Sequence, residues 1–193
     1  LAKRHPYFHP GWQNSVSFGS LACPELVGNF RAILSDPNES NTVKYCVLDA
    51  IQHGSPLTEL SADLLAMIRN AQLVVYLRRE AIQAYQKVVP DNFDKLLVLL
   101  DDIHSNRVVD DSCDLRGELL KSLYPTALSA NKLIEYLVTA PLQSSRFDSF
   151  SLIKRLIDKT SDSSIPELLE AIAKAEKPPH HNYSWGRFVG QLL

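Results

Sequence analysis

One short helical pattern occurs three times along this chain. The first two copies read YCVLDAIQ at 45–52 and YLRREAIQ at 76–83, so that Tyr, an acid, Ala, Ile and Gln recur 31 residues apart. A weaker third copy, LRGELL at 115–120, begins 38 residues after the Leu of the second copy. A repeat of this length is typical of stacked helical hairpins, in which each hairpin buries its apolar face against its neighbours. The repeat therefore predicts a stacked helical array, a kind of structure that more often holds partners than catalyses reactions.

The spacing of apolar residues predicts that the whole chain is helical. Apolar side chains recur at i, i+3, i+4 and i+7, the alternation typical of strands is nearly absent, and glycine is scarce, with seven residues. Pro, Gly and polar turns divide the pattern into a series of helices. We expect them at 24–35, 41–53, 55–70, 72–88, 93–104, 112–123, 129–139, 146–159 and 165–176, with a last one from about Tyr183. Three polar starts predict helix caps: Asp91–Asp94 at the fifth helix, Ser145–Asp148 at the eighth, and the better capping box Ser164–Glu167 at the ninth.

Three segments follow from this pattern. Residues 1–22 read as an irregular arm, 23–125 as three helical hairpins, and 126–193 as a less regular helical continuation of the same domain. The chain begins at Leu1 and stops at Leu193 within an amphipathic pattern that has no stop signal. We therefore expect a piece of a longer protein, in which a catalytic domain lies elsewhere.

Length, charge and cysteine content narrow the class of protein. A chain of 193 residues can bury a large core, and its net charge of −2 argues against a non-specific nucleic-acid binder. No apolar run approaches the ~18 residues of a membrane span, and the N-terminus lacks the apolar core of a signal peptide. The three widely spaced cysteines favour free thiols over a disulfide framework or a zinc site. These features predict a cytoplasmic protein with no membrane segment.

The third copy resembles the second helix of a HEAT-type repeat. Such helices follow a turn Asp and begin with a Val/Leu-Arg pair, and here Asp110 precedes Leu115 and Arg116. Leu77 and Arg78 match the same pair, whereas the first copy keeps only the apolar pattern. The resemblance implies an all-α, HEAT-like α-solenoid, with Arg78, Asp110 and Arg116 as structural repeat positions. In such repeats the Arg commonly reaches the turn Asp of a neighbouring unit.

Residues 110–137 are also similar to the helical region that follows the nucleotide-binding module of bacterial NACHT-like (STAND-class) ATPases. This resemblance implies a sensor or autoinhibitory arm within a larger, NTP-driven protein. No Gly-x-x-x-x-Gly-Lys-Ser/Thr motif occurs in the chain, so any nucleotide site would lie outside it.

Candidate chemistry in the sequence is sparse. His5 and His9 lie four apart but are separated by Pro6, and His180 and His181 lack a third ligand, so neither pair predicts a metal site. There is no nucleophile motif with a recognisable spacing, and we expect no catalytic residue, no cofactor and no enzyme activity. The acidic stretch 91–118 is either a docking face for a basic partner or a solvated face with helix caps, and we favour the second interpretation.

We therefore predict a scaffold that recognises a protein partner or other domains of the same chain. In a HEAT-like array the second helices, near 41–53, 72–88 and 112–123, line the concave surface. Residues expected to be exposed there and to contact the partner are Lys44, Arg79, Gln83, Glu118 and Lys121. The alternative is a HEAT-like DNA-binding or DNA-repair solenoid, for which Arg78, Arg79, Arg69 and Lys87 form the main basic grouping. The acidic balance of the chain counts against it.

Overall fold

The computed structural model of the chain describes residues 18–138, 150–175 and 190. Nine α-helices and several 3₁₀ turns make up this described part, and no strand occurs within it. The all-α class predicted from the periodicity is therefore confirmed for these residues. Two compact units are present, 1–92 and 93–193.

The first unit contains four helices. They are α1 (Val27–Ser35), α2 (Asn41–His53), α3 (Ser61–Arg69) and α4 (Val75–Val88). The predicted helix 41–53 has the bounds of α2, where Ser40 caps the N-terminus by accepting the amide of Val43 at 3.2 Å. The predicted third helix begins later than expected, because its first residues form a 3₁₀ turn at Thr58–Leu60.

The four helices of this unit contact one another in four pairs. α1 contacts α2 and α3 contacts α4, while α1 also contacts α3 and α2 contacts α4. The predicted apolar face of the third helix is confirmed, since Leu60, Leu64, Met67 and Ile68 are all buried. Burial of such side chains contributes about 1.5–3 kcal/mol each.

The second unit contains the remaining five helices. They are α5 (Asp94–His104), α6 (Asp114–Leu123), α7 (Ala130–Val138), α8 (Phe150–Lys159) and α9 (Ile165–Lys174). α6 contacts both α5 and α8, and α7 contacts α9. Three predictions lie wholly or partly outside the described residues. They are the irregular arm as far as residue 17, the start of the helix expected at 146–159 with its Ser145–Asp148 cap, and the helix expected from Tyr183, of which Gly190 alone is described.

Two predicted caps are not formed. The Ser164 backbone has helical torsions, φ −95° and ψ −10°, because it ends a 3₁₀ turn, whereas a capping residue needs an extended backbone. Its Oγ lies 2.8 Å from the Oγ of Ser161 instead. At the start of α5 the cap position is occupied by Phe93 and has no side-chain hydrogen bond, so Asp91 does not cap this helix.

A buried tyrosine links α7 to α5 within the second unit. The Tyr136 hydroxyl donates a hydrogen bond to Oδ1 of Asp101, and its ring meets that of His104 edge-on, with centroids 5.2 Å apart. Burial and the neighbouring Asp101 carboxylate both raise the pKa of the Tyr136 phenol. The hydroxyl therefore stays protonated and keeps its role as a donor.

We expect Tyr136→Phe to lower the free energy of unfolding by about 1 kcal/mol, because the Asp101 carboxylate is exposed and regains water when the bond is lost. Urea denaturation of the variant and the wild type measures this difference. Tyr124→Phe is the control for loss of a hydroxyl in the same unit, since the Tyr124 hydroxyl pairs with the neutral Thr160 hydroxyl at 3.2 Å. An equal loss in both variants would contradict a special role for the α5–α7 link.

Candidate functional site

The first two copies of the repeat occupy matching positions on α2 and α4. Ala50 and Ala81 are fully buried, and so are Ile51 and Ile82. Small and branched side chains at these positions allow the two helices to pack closely. The Ala-Ile part of the repeat is thus explained by the core of the first unit.

The other shared residues lie on a partly exposed surface. Tyr45 and Tyr76 are half-buried, with ring centroids 6.5 Å apart and planes inclined by 51°. Gln52 joins the two helices, because its Nε2 donates to the Glu80 carbonyl oxygen at 3.1 Å and to Glu80 Oε2 at 3.0 Å. We name this surface the α2–α4 face; it comprises Tyr45, Asp49, Gln52, Tyr76, Arg79, Glu80 and Gln83.

The α2–α4 face carries charges of both signs. Arg79 Nη2 lies 3.6 Å from Glu80 Oε1, while Arg79 Nε is buried and has no hydrogen-bond partner among the described residues. Burial raises the pKa of both Tyr45 and Tyr76, and the Glu80 and Asp49 carboxylates raise that of Tyr45 further. The two phenols therefore stay neutral and can both donate and accept hydrogen bonds.

The five predicted contact residues fall in three places. Arg79 and Gln83 lie one turn apart on α4 and are partly exposed, as expected. Lys44 lies on α2 in the same unit, and Glu118 pairs with Lys121 on α6 of the second unit, with Nζ and Oε2 2.5 Å apart.

The expected exposure is wrong for two of these residues. Lys44 is 2% exposed and Glu118 is 6% exposed. Glu118 is enclosed because α6 packs against both α5 and α8, so that every residue from Leu115 to Leu120 is buried. Lys44 is enclosed because α1, α3 and the α3–α4 link surround it and form a cleft, which is described below. Whether these residues contact a partner remains a prediction.

The repeat arginines are buried. Arg78 is 4% exposed, and its Nε donates to the Ile68 carbonyl oxygen at 2.7 Å, which satisfies an acceptor near the C-terminus of α3. Arg116 is 5% exposed, and its Nε and Nη1 have no hydrogen-bond partner among the described residues. Both side chains therefore lie inside the fold, where a structural role was predicted.

Asp110 holds the start of α6. Its Oδ1 accepts the amide of Leu115 at 3.1 Å and its Oδ2 accepts the amide of Arg116 at 2.8 Å. Cys113, with φ 56° in the left-handed region, turns the chain so that Asp110 lies over the helix end. Sequence reasoning selected Asp110 as a repeat position, and its capping contacts are made within its own hairpin.

The acidic stretch is not a single exposed face. Asp102 is buried, and its Oδ1 pairs with Arg107 at 2.8 Å. Glu118 and Asp110 have the partners described above, whereas Asp101 and Asp111 are exposed. The favoured interpretation of solvated residues and helix starts therefore fits Asp101, Asp110 and Asp111, but it does not fit Asp102 and Glu118, which are buried within α5 and α6.

A cleft of about 320 Å³ opens in the first unit beside Lys44. Its walls come from α1, α2, α3 and the α3–α4 link, and they include Leu34, Lys44, Asp63, Met67, Asn70 and Leu73. No motif in the sequence predicted it, because the lining residues come from four separate segments. We name it the Lys44 cleft.

The described residues contain neither a disulfide nor a cluster of metal-ligating side chains. Its three cysteines, Cys23, Cys46 and Cys113, are free, as predicted, and burial raises the pKa of the Cys46 thiol. Among the described residues no group of three or more His, Cys, Asp or Glu is placed to hold a metal ion. None of the described helices has the length and apolar composition needed to cross a membrane. The histidine pairs at 5–9 and 180–181 lie outside the described residues.

Comparison of the chain with protein-family models, with curated proteins and with solved structures gives no match in any of the three.

Proposed function

We propose that this chain is a non-catalytic helical-repeat module that recognises a protein partner through the α2–α4 face. The observation that carries the proposal is the division of the repeat into two parts. Its Ala and Ile residues form the core, whereas its Tyr and acidic residues lie side by side on a partly exposed surface. The core accounts for the first part. Contacts between α2 and α4 hold the second part in place, and on this proposal its exposed surface serves recognition.

The composition of this face suits a protein partner. Tyrosine offers a large and stiff contact area with a polar end, so it is common among the residues that dominate protein interfaces. Asp49, Arg79 and Glu80 add both signs of charge, which favours a partner with a matching mixed pattern. The two carboxylates would repel a phosphate backbone, and this disfavours the alternative of a DNA-binding solenoid.

We propose that each unit is a segment of a HEAT-like α-solenoid. The contacts within the units support this, because helices two apart in the chain pack together: α1 with α3 and α2 with α4 in the first unit, α6 with α8 and α7 with α9 in the second. In stacked hairpins, successive first helices form one layer and successive second helices form another. A repeat array extends an interaction surface in one direction, which suits recognition of an elongated partner.

We also propose that the module serves a larger, NTP-driven protein as a sensor or regulatory arm. The support is the similarity of residues 110–137 to the helical region of NACHT-like ATPases. On this proposal, the partner is either a separate protein or another domain of the same chain.

The test uses the partly exposed pair on α4. The wild-type chain and an Arg79→Ala, Gln83→Ala variant are immobilised, partners are identified by mass spectrometry, and each partner is then purified and titrated. We expect the variant to bind its partner at least about tenfold more weakly, since truncating a residue that dominates an interface, as arginines frequently do, costs about 2 kcal/mol or more. Lys95→Ala, an exposed cation on α5, is the matched control and should bind like the wild type.

Two results would contradict the proposal. One is equal partner affinity in the wild type and the α4 variant. The other is saturable binding of a duplex DNA that Arg79→Ala, Gln83→Ala weakens, which would favour the nucleic-acid alternative.

A further inference from the structure

The Lys44 cleft combines an apolar interior with one lysine whose side chain is largely enclosed. Leu34, Met67 and Leu73 supply apolar walls, and Lys44 lies in the wall contributed by α2. A volume of about 320 Å³ is at the small end of the range for ligand pockets, so it suits one or two side chains better than a large cofactor.

Lys44 is both buried and unpaired. It is 2% exposed, and within residues 18–138 and 150–175 no hydrogen-bond or ion-pair partner lies at its ammonium group. The ammonium group itself still reaches solvent through the cleft, so its charge is accessible to a ligand there. An anion bound in the cleft would supply the missing partner.

Asp63 lines the same cleft but is already engaged. Its Oδ2 lies 2.9 Å from Arg31 Nε, and Arg31 Nη2 also donates to the Glu59 carbonyl oxygen at 2.8 Å. Arg31 thus neutralises the Asp63 carboxylate, whereas no carboxylate of the described residues neutralises the Lys44 ammonium. Lys44 is therefore the site of uncompensated charge in the cleft.

Asn70 adds hydrogen-bond donors to the cleft. Its Oδ1 accepts the amide of Gln72 at 3.0 Å, and its amide nitrogen carries two N–H donors. Together with the Lys44 ammonium, these donors match the oxygens of a carboxylate.

We propose that the Lys44 cleft binds an acidic side chain, with an adjoining apolar side chain, from a peptide segment of the partner. A carboxylate carries one charge, which a single lysine can neutralise. A phosphate carries nearly two, and the nearby Asp63 carboxylate would oppose the second. The apolar walls account for the adjoining apolar residue. This inference rests on the proposed role in protein recognition, because its occupant is a partner segment.

The chain provides its own reporter for this site. Met67 is the single methionine of the chain, and it lines the cleft. Labelling with [¹³C-methyl]methionine therefore yields one methyl resonance from these 193 residues, that of Met67. The probes are acetyl-Leu-Glu-Leu-amide, its uncharged twin acetyl-Leu-Gln-Leu-amide, and hexanoate as a free carboxylate.

We expect the Glu peptide to shift the Met67 resonance saturably and to bind at least about tenfold more tightly than its Gln twin, because a charged hydrogen bond is replaced by a neutral one. Lys44→Gln should abolish this preference. Lys87→Gln, an exposed lysine on α4, is the matched control and should retain it. The comparison of two peptides on the wild-type protein does not depend on how well any variant folds.

Three results would overturn the inference: equal binding of the Glu and Gln peptides, an unchanged preference in Lys44→Gln, or hexanoate binding as tightly as the Glu peptide. The last would identify a small-molecule carboxylate site. A result that contradicts peptide binding in the Lys44 cleft can be distinguished from one that contradicts partner binding by the α2–α4 face. If the peptides fail while Arg79→Ala, Gln83→Ala still weakens partner binding, only the cleft inference is lost; the reverse outcome removes only the α2–α4 face.

Discussion

Gly54→Ala is expected to lower the free energy of unfolding by about 3 kcal/mol, because the added methyl group has no space. A Cβ at this position would overlap the Gly19 carbonyl oxygen and the Ala22 Cβ, and it would lie 2.9 Å from the Ala50 carbonyl oxygen. Two of these atoms belong to the backbone and cannot rotate away. The 3₁₀ turn Phe18–Leu21, which packs against α2, would have to move.

The expected loss of stability comes from lack of space for the added methyl group and not from the backbone torsions of Gly54. The Gly54 backbone has φ −104° and ψ −158°, an extended geometry that any residue adopts. Gly28→Ala is the matched control, since a Cβ there would meet nothing within 4 Å. Gly28 lies in α1, so we expect this change to stabilise the chain by about 0.5 kcal/mol.

Thermal unfolding followed by circular dichroism measures both changes. A loss of about 3 kcal/mol should lower the Tm of a chain of this size by roughly 10 °C. A Gly54→Ala variant as stable as the wild type would show that the Phe18–Leu21 turn does not pack on the end of α2 as described.

Asp110→Ala is expected to lower the free energy of unfolding by about 2–3 kcal/mol, since it leaves two backbone amides without their acceptor. These are the amides of Leu115 and Arg116, whose residues are almost completely buried, so water cannot readily replace the carboxylate. Loss of a negative charge at the start of α6 adds to the effect through the helix dipole.

Asp111→Ala removes the same charge from the neighbouring position and is the control. Asp111 is exposed, and we expect its loss to change the stability by no more than about 0.5 kcal/mol. Urea denaturation measures the stability, and hydrogen exchange reports the Leu115 and Arg116 amides directly. Similar values for the two variants would contradict the capping role of Asp110.

The helices of the first unit could be predicted because local signals there agree with tertiary packing. The bounds of α2 follow from a polar cap at Ser40, an apolar period and a glycine at 54. The repeated Ala-Ile pair is buried in both copies, as a shared core position requires.

The surroundings of individual side chains could not be predicted in the same way. Lys44 resembles a solvated lysine in sequence, and only the approach of α1 and the α3–α4 link places it in a cleft. Glu118 has the spacing of a surface residue, but α6 is covered on two sides. At Ser164 the capping pattern is present, but a 3₁₀ turn fixes the backbone torsions that the cap would need.

The most direct test of the α2–α4 face is photocrosslinking inside cells that naturally make the protein. The photoreactive residue p-benzoylphenylalanine replaces Tyr76, which it resembles in shape, and in a control it replaces Ala62, an exposed residue of α3. The proposed function predicts a discrete covalent adduct with a protein, or with another domain of the parent chain, from position 76 and none from position 62. Equal adducts from both positions, or none from position 76, would contradict it.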